Sequence, residues 1–123
     1  MQAFLWISLG AIAGANLRYL ISSVLARVTA EFPLGTLAIN VTGSFVLGFF
    51  MAWTTERVLA DPRWRLLIAV GFCGGYTTFS SYAFETMAYF EQGQWGLLGA
   101  NILGNNLLSL AAVLGGIALA RVL

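Results

Sequence analysis

The sequence predicts an all-α integral membrane protein with four transmembrane helices, the third of them broken in mid-membrane. Three observations carry this. Of 123 residues, 59% are hydrophobic and 9% are charged, against about 25% charged in an ordinary soluble domain. The apolar residues fall into four runs, each near the roughly 20 residues that a bilayer crossing needs. Inside the third run, Gly74, Gly75, Thr77 and Thr78 gather poor helix formers at one place; each Gly costs roughly 1 kcal/mol relative to Ala in a helix interior. Backbone that opens at membrane depth must be buried in protein or line a polar cavity, and ion sites are built from such openings. Gly71 and Gly75 are also spaced as a small-residue packing seam, so this stretch alone leaves both readings open.

Composition removes several classes of function. The formal net charge is +1 and no basic cluster exists, so nucleic acid is not an expected partner. There is no histidine, and Cys73 is the single cysteine. Disulfide frameworks, Cys/His metal sites and histidine acid–base catalysis are therefore excluded within one subunit, and the chain is not read as an enzyme. Four crossings use nearly the whole length, giving one membrane domain over 1–123.

Span 1 is expected over about 3–25. It lacks a basic leader and outlasts a signal core, so it reads as a span that stays. It carries Gly10 and Gly14 at packing spacing, then Arg18 deep in the apolar run. A charge there snorkels to the interface or serves as a vestibule or structural anchor. Span 2, about 34–54, follows Pro33, which suits a first helical turn. Thr36, Asn40, Ser44 and Gly48 recur every four residues and share one face. Asn40 acts either as interhelical glue, worth about 0.6 kcal/mol on average, or as an N–H donor to an anion. The connection over 55–65 holds Glu56, Arg57, Asp61, Arg63 and Arg65, and Asp61 before Pro62 reads as a helix cap.

Span 3, about 62–90 with its break near 74–78, places Phe79, Tyr82 and Thr86 on one face beyond the break. Ser80, Ser81 and Glu85 add hydroxyls and a carboxylate, Glu85 reading as a solvated interfacial group. Trp95 marks a membrane boundary. Span 4, about 97–119, repeats Asn101, Asn105 and Ser109 as a second polar stripe. With an even number of spans, Arg57, Arg63, Arg65 and Arg121 fall on one side and Arg27 on the other, which favours cytoplasmic termini. Polar faces on three small helices point to association, with narrow pathways between or beside subunits. Amides, hydroxyls and aromatic ring edges suit a small anion. No embedded lysine or carboxylate pair is present for proton coupling, which favours passive conduction.

Gly10, Gly14 and Leu17-Arg18-Tyr19, then Gly35-Thr36 through Asn40 to Ser44 with Gly48, then Gly71 to Ser80 with Glu85, together resemble the Fluc (CrcB) fluoride channel family. The match covers spans 1 to 3 in order and spacing, and span 4 more loosely. The resemblance implies passive export of cytoplasmic fluoride across a bacterial inner membrane. It also implies two pores per antiparallel, dual-topology dimer, and a structural sodium ion at the dimer centre. By position, Asn40 would be the pore asparagine and Phe79 the first ring of an aromatic box. Ser80 and Ser109 would provide pore hydroxyls, and Arg18 would stand near the vestibule. The carbonyls of Gly74 and Thr77 would hold the sodium, with the glycines permitting the turn. Tyr82 stands where the family pattern has a second phenylalanine, and the unequal arginines leave room for a separately encoded inverted partner in place of a homodimer. A small multidrug exporter would need an acidic residue in span 1, which is missing. A non-conducting assembly subunit would explain the glycine seams but not the polar stripes.

Overall fold

The computed structural model describes residues 1–57 and 61–123, and among these every regular element is helical. Residues 58–60, part of the predicted charged connection, lie outside the described residues. Helix α1 is Gln2–Leu25 and α2 is Leu34–Glu56. Helix α3, residues 62–76, opens as an α-helical turn, widens to π geometry over Arg65–Cys73 and closes on Gly74–Tyr76. Helix α4 is Phe79–Glu91, and α5, Trp95–Val122, has its own π-widened turn at Gly104–Leu108. By length and composition α1, α2 and α5 can each cross a membrane, which makes this a multi-pass membrane protein.

Local chemistry explains the ends. The Asp61 carboxylate accepts from the Arg63 N–H at 2.9 Å, and Pro62 takes the first helical position, as its missing N–H allows. At the far end of α4, Gly93 adopts φ +68°, and Gln94 N–H returns to the Tyr89 carbonyl at 2.9 Å. Only a residue without Cβ takes that conformation without strain.

Two backbone-to-backbone seams set the packing. In one, α1 lies on α3: a methyl on Gly14 would overlap the Phe72 carbonyl oxygen, and one on Gly71 would come within 3.0 Å of the Gly10 Cα. In the other, α2 lies on the second half of α5: a methyl on Gly48 would meet the Val113 backbone, and one on Gly116 the Phe45 carbonyl. Small residues allow this approach, and the gain is close van der Waals contact. Between the seams, α2, α4 and the first half of α5 face one another across polar side chains.

Both ends of the bundle are tied. The Arg121 Nε donates to Glu56 at 3.0 Å and an Arg65 N–H to Thr55 Oγ1 at 2.7 Å, so the arginine-rich connection and the C-terminal turn share one end. At the other end, Tyr89 O–H donates to the Glu31 carbonyl at 2.6 Å.

Candidate functional site: a polar cleft at the helix interruption

The chain leaves helical conformation at Thr77 (φ −84°, ψ 158°) and Thr78 (φ −149°, ψ 118°). The glycines expected to make this turn do not make it. Gly74 is in ordinary right-handed geometry and Gly75 lies within the last helical turn of α3. Gly75 instead lies against Ala11 of α1, where a Cβ would crowd the backbone. The two β-branched threonines adopt the extended conformation, which they favour.

An interruption frees backbone groups, and the side chains around it take them up. Asn40 of α2 accepts from the Thr78 N–H through Oδ1 at 2.9 Å and donates Nδ2 to the Thr78 carbonyl at 3.1 Å. One carboxamide therefore satisfies both backbone groups of an extended residue, as a neighbouring strand would. The Thr78 hydroxyl accepts from Ser81 N–H at 3.2 Å and caps α4. Thr77 N–H and Oγ1 both return to the Cys73 carbonyl, at 3.0 and 2.9 Å.

Beside this point opens a cleft of about 360 Å³. Asn40, Phe79, Tyr82 and Ser109 line it, as do Gly74 and Thr77. The Phe79 and Tyr82 rings meet edge-on, with centroids 5.3 Å apart. Ser109 Oγ is buried and has no hydrogen-bond partner among the described residues. Such a group normally has a partner, so a hydroxyl aimed into a cleft marks a place for water or an ion. The remaining two predicted residues stand apart. Ser80 is exposed and does not line the cleft; its hydroxyl sits 3.3 Å from Thr78 Oγ1, because it lies one residue past the start of α4 and turns off the cleft face. Half-buried Arg18 reaches the interruption from α1, Nη1 donating to the Thr77 carbonyl at a long 3.4 Å. It pairs with a backbone dipole in place of reaching the interface.

Three contributors were not singled out from the sequence as site residues. Asn105 Oδ1 accepts from Asn40 Nδ2 at 3.0 Å. Asn106 donates to the Tyr82 hydroxyl at 3.1 Å. Consecutive residues of a regular helix point about 100° apart, and the π-widened turn at Gly104–Leu108 lets both asparagines face the same cleft. The third is Glu85. Its Oε1 accepts from Thr36 at 2.6 Å, and its Oε2 is buried without a partner among the described residues, which corrects the solvated reading. Thr36 lies one turn from Asn40 on the same face of α2, about 6 Å along the axis, so the stripe was the available signal. Thr36 and Glu85 also line a larger cavity of about 860 Å³, walled by the 26–34 connection, Tyr89 and Gln94.

Among the described residues no three His, Cys, Asp or Glu side chains stand together as a metal site. The oxygen donors at the interruption are carbonyls. Thr78 N–H, which an unbroken helix would give to the Gly74 carbonyl, goes to Asn40 instead. The Thr77 carbonyl already faces a cationic guanidinium. A carbonyl oxygen without its helical N–H partner is the kind of donor that a hard monovalent cation takes, whereas the Thr77 oxygen is already engaged by Arg18.

A family model described as "CrcB-like protein, Camphor Resistance (CrcB)" matches residues 5–117. The chain is 62% identical over 122 residues to a protein of Koribacter versatilis (strain Ellin345) named "Fluoride-specific ion channel FluC", covering 98% of this chain and 97% of that one. Proteins of the same name from Solibacter usitatus (strain Ellin6076) and Sulfurihydrogenibium sp. (strain YO3AOP1) are 46% and 44% identical; these matches cover 96% and 100% of this chain, and 98% and 100% of theirs.

Proposed function

The chain belongs to the CrcB-like protein family, and from that premise we propose that it is a fluoride-selective channel. It lets cytoplasmic fluoride leave passively across a bacterial inner membrane. The observation that carries this reading is the cleft at Thr77 and Thr78, where Asn40, Phe79, Tyr82 and the unpartnered Ser109 hydroxyl converge. A small, strongly hydrated anion needs donors in place of its water, and this wall consists of amides, hydroxyls and electropositive ring edges. Chemistry on the substrate is not required, and the chain is not an enzyme.

The fourth crossing is shared. Helix α3 at 15 residues is about 22 Å long and α4 at 13 about 20 Å, each short of the roughly 30 Å hydrocarbon core. Joined end to end they are long enough to span it, which supports an interruption near mid-membrane. Lipid cannot satisfy open backbone and a polar cleft, yet Phe79 is 76% exposed and Phe84 77%. A second copy in the opposite orientation is the cover that fits, with a pore in each half. Sodium would be held by the Gly74 and Thr77 carbonyls, with further oxygen donors supplied by the opposing copy. An ion held by these carbonyls would supply a positive charge beside the cleft. Arg18, donating to the Thr77 carbonyl, braces the interruption from α1.

The test is fluoride release from liposomes at a potential set by potassium and valinomycin, read by a fluoride electrode with chloride as control. The expected result is rapid fluoride release without chloride, lost in Asn40→Asp and in Phe79→Ile. Well-folded protein that releases neither anion overturns the reading for a homodimer. Chemical cross-linking in the same liposomes reads the dimer.

A further inference from the structure

The amide groups behind the cleft form a directed chain, and its direction is the wrong one for an anion. Asn40 Nδ2 donates to Asn105 Oδ1 at 3.0 Å, Asn105 Nδ2 to Asn101 Oδ1 at 3.0 Å, and Asn101 Nδ2 to Thr86 Oγ1 at 3.0 Å. The Thr86 hydroxyl then donates to the Tyr82 carbonyl at 2.7 Å. The three amide bonds run away from the cleft. Both Asn40 amide protons are engaged, one on the Thr78 carbonyl and one on Asn105. The Asn105 atom nearest Asn40 is an oxygen, which repels an anion. In this arrangement the pore asparagine has no proton left to give.

The chain can run in reverse at the cost of one further bond, the one Asn105 Nδ2 also donates to the Asn101 backbone carbonyl at 3.1 Å. A carboxamide rotated half a turn keeps its shape and exchanges donor for acceptor. If Thr86 donates instead to Asn101 Oδ1, Asn101 can donate to Asn105 Oδ1, and Asn105 then presents Nδ2 to the cleft. The Tyr82 carbonyl gives up only its side-chain partner. Two N–H groups, from Asn105 and Asn40, would then face each other, which is unfavourable unless an acceptor lies between them. Asn101 is fully buried and Asn105 is 6% exposed, so an acceptor that relieves the conflict must come from the cleft.

We propose that Thr86, Asn101 and Asn105 form a reversible hydrogen-bond relay that turns Asn105 from acceptor to donor when a small anion enters the cleft. The proposal rests on the channel reading. Asn105 then contacts the ion together with Asn40, while Asn101 and Thr86 are positioning residues. A strong acceptor such as fluoride compensates the reversal better than a larger halide, so the relay contributes to anion choice.

The test uses the whole chain, labelled with nitrogen-15 in its asparagines, in lipid nanodiscs. The five asparagines are Asn16, Asn40, Asn101, Asn105 and Asn106. Sodium fluoride is expected to shift the side-chain amide signals of Asn40, Asn105 and Asn101 together along one saturating curve. Sodium chloride should leave them in place, and Asn16, bonded to the Ile12 carbonyl, serves as the internal control. In liposomes, Asn101→Asp pins the Asn105 N–H on a carboxylate and should slow fluoride release about tenfold, the scale of one charge-assisted hydrogen bond. Asn101→Leu breaks the relay, so fluoride should no longer shift the Asn105 signal although Asn40 still responds, a loss of coupling that a purely structural Asn101 would not produce. Movement of Asn40 alone in the wild-type chain, or an Asn105 shift that survives in Asn101→Leu, overturns the relay even where the wild-type chain conducts. A wild-type chain that folds and releases no fluoride overturns the homodimer channel reading beneath it.

Discussion

The seam between α1 and α3 and the cleft between α2, α4 and α5 hold helices together by opposite means. At the seam, backbone meets backbone: Gly10 and Gly14 bring α1 so close to Gly71 and Phe72 that a single methyl has no room. In the cleft, side chains keep the helices apart, and Asn40, Thr78, Asn101 and Asn105 exchange hydrogen bonds across the gap. Close-packed backbone has one arrangement, because any shift loses contact or creates overlap. An amide network has several arrangements of similar energy, because each group both donates and accepts. The molecule places the fixed contact beside the adjustable one, so the cleft can change without the bundle changing.

Substitutions ordered by expected effect sharpen this contrast. Gly14→Val should be the most damaging, since the added carbons fall on the Phe72 carbonyl oxygen, and overpacking costs typically 1–3 kcal/mol, with more where backbone must move. Loss of a monodisperse elution peak and a lowered midpoint of thermal unfolding are the readouts. Asn40→Leu comes next. It leaves the Thr78 N–H and carbonyl and Asn105 Oδ1 without their partner, each at about 1–3 kcal/mol if no water replaces it. The Thr78 amide should then exchange with solvent deuterium faster, while amides along the α1–α3 seam keep their protection.

Tyr82→Phe should matter less. The ring and its edge contact with Phe79 stay, and only the bond from Asn106 is lost, a net effect of about 1 kcal/mol or less. Fluoride release should change within a few-fold and the elution profile not at all. Arg121→Gln should do least. Its ion pair with Glu56 is exposed on both sides, and such pairs contribute at most about 1 kcal/mol. A large loss of stability here would show that the ends of the bundle, not its seams, hold it together.

The helices were legible because apolar runs, Asp61-Pro62 and the four-residue recurrence of Thr36, Asn40 and Ser44 each have a direct physical cause. The interruption was legible in place but not in detail. Gly and Thr are both poor helix formers, and composition alone could not tell that the glycines serve the approach of α1 while the threonines make the turn. Asn40 was legible as a polar residue needing a partner, but the partner, the backbone of Thr78, comes from a different helix. Asn106 was hidden because a regular helix would point it away from Asn105, and π widening leaves little mark in sequence. Ser80 was carried by resemblance, and its first-turn position on α4 turns it aside.

Cys73 lines the inner wall of the cleft at 2% exposure and is the sole thiol of the chain. A charged thiol reagent should therefore find nothing to modify on the resting molecule. That silence makes the protein a blank for site-directed labelling: a cysteine introduced at exposed Arg27 would carry a fluorophore or spin label with no background to remove. It also makes Cys73 itself a clock, since the rate at which a small reagent reaches it measures how often the wall parts.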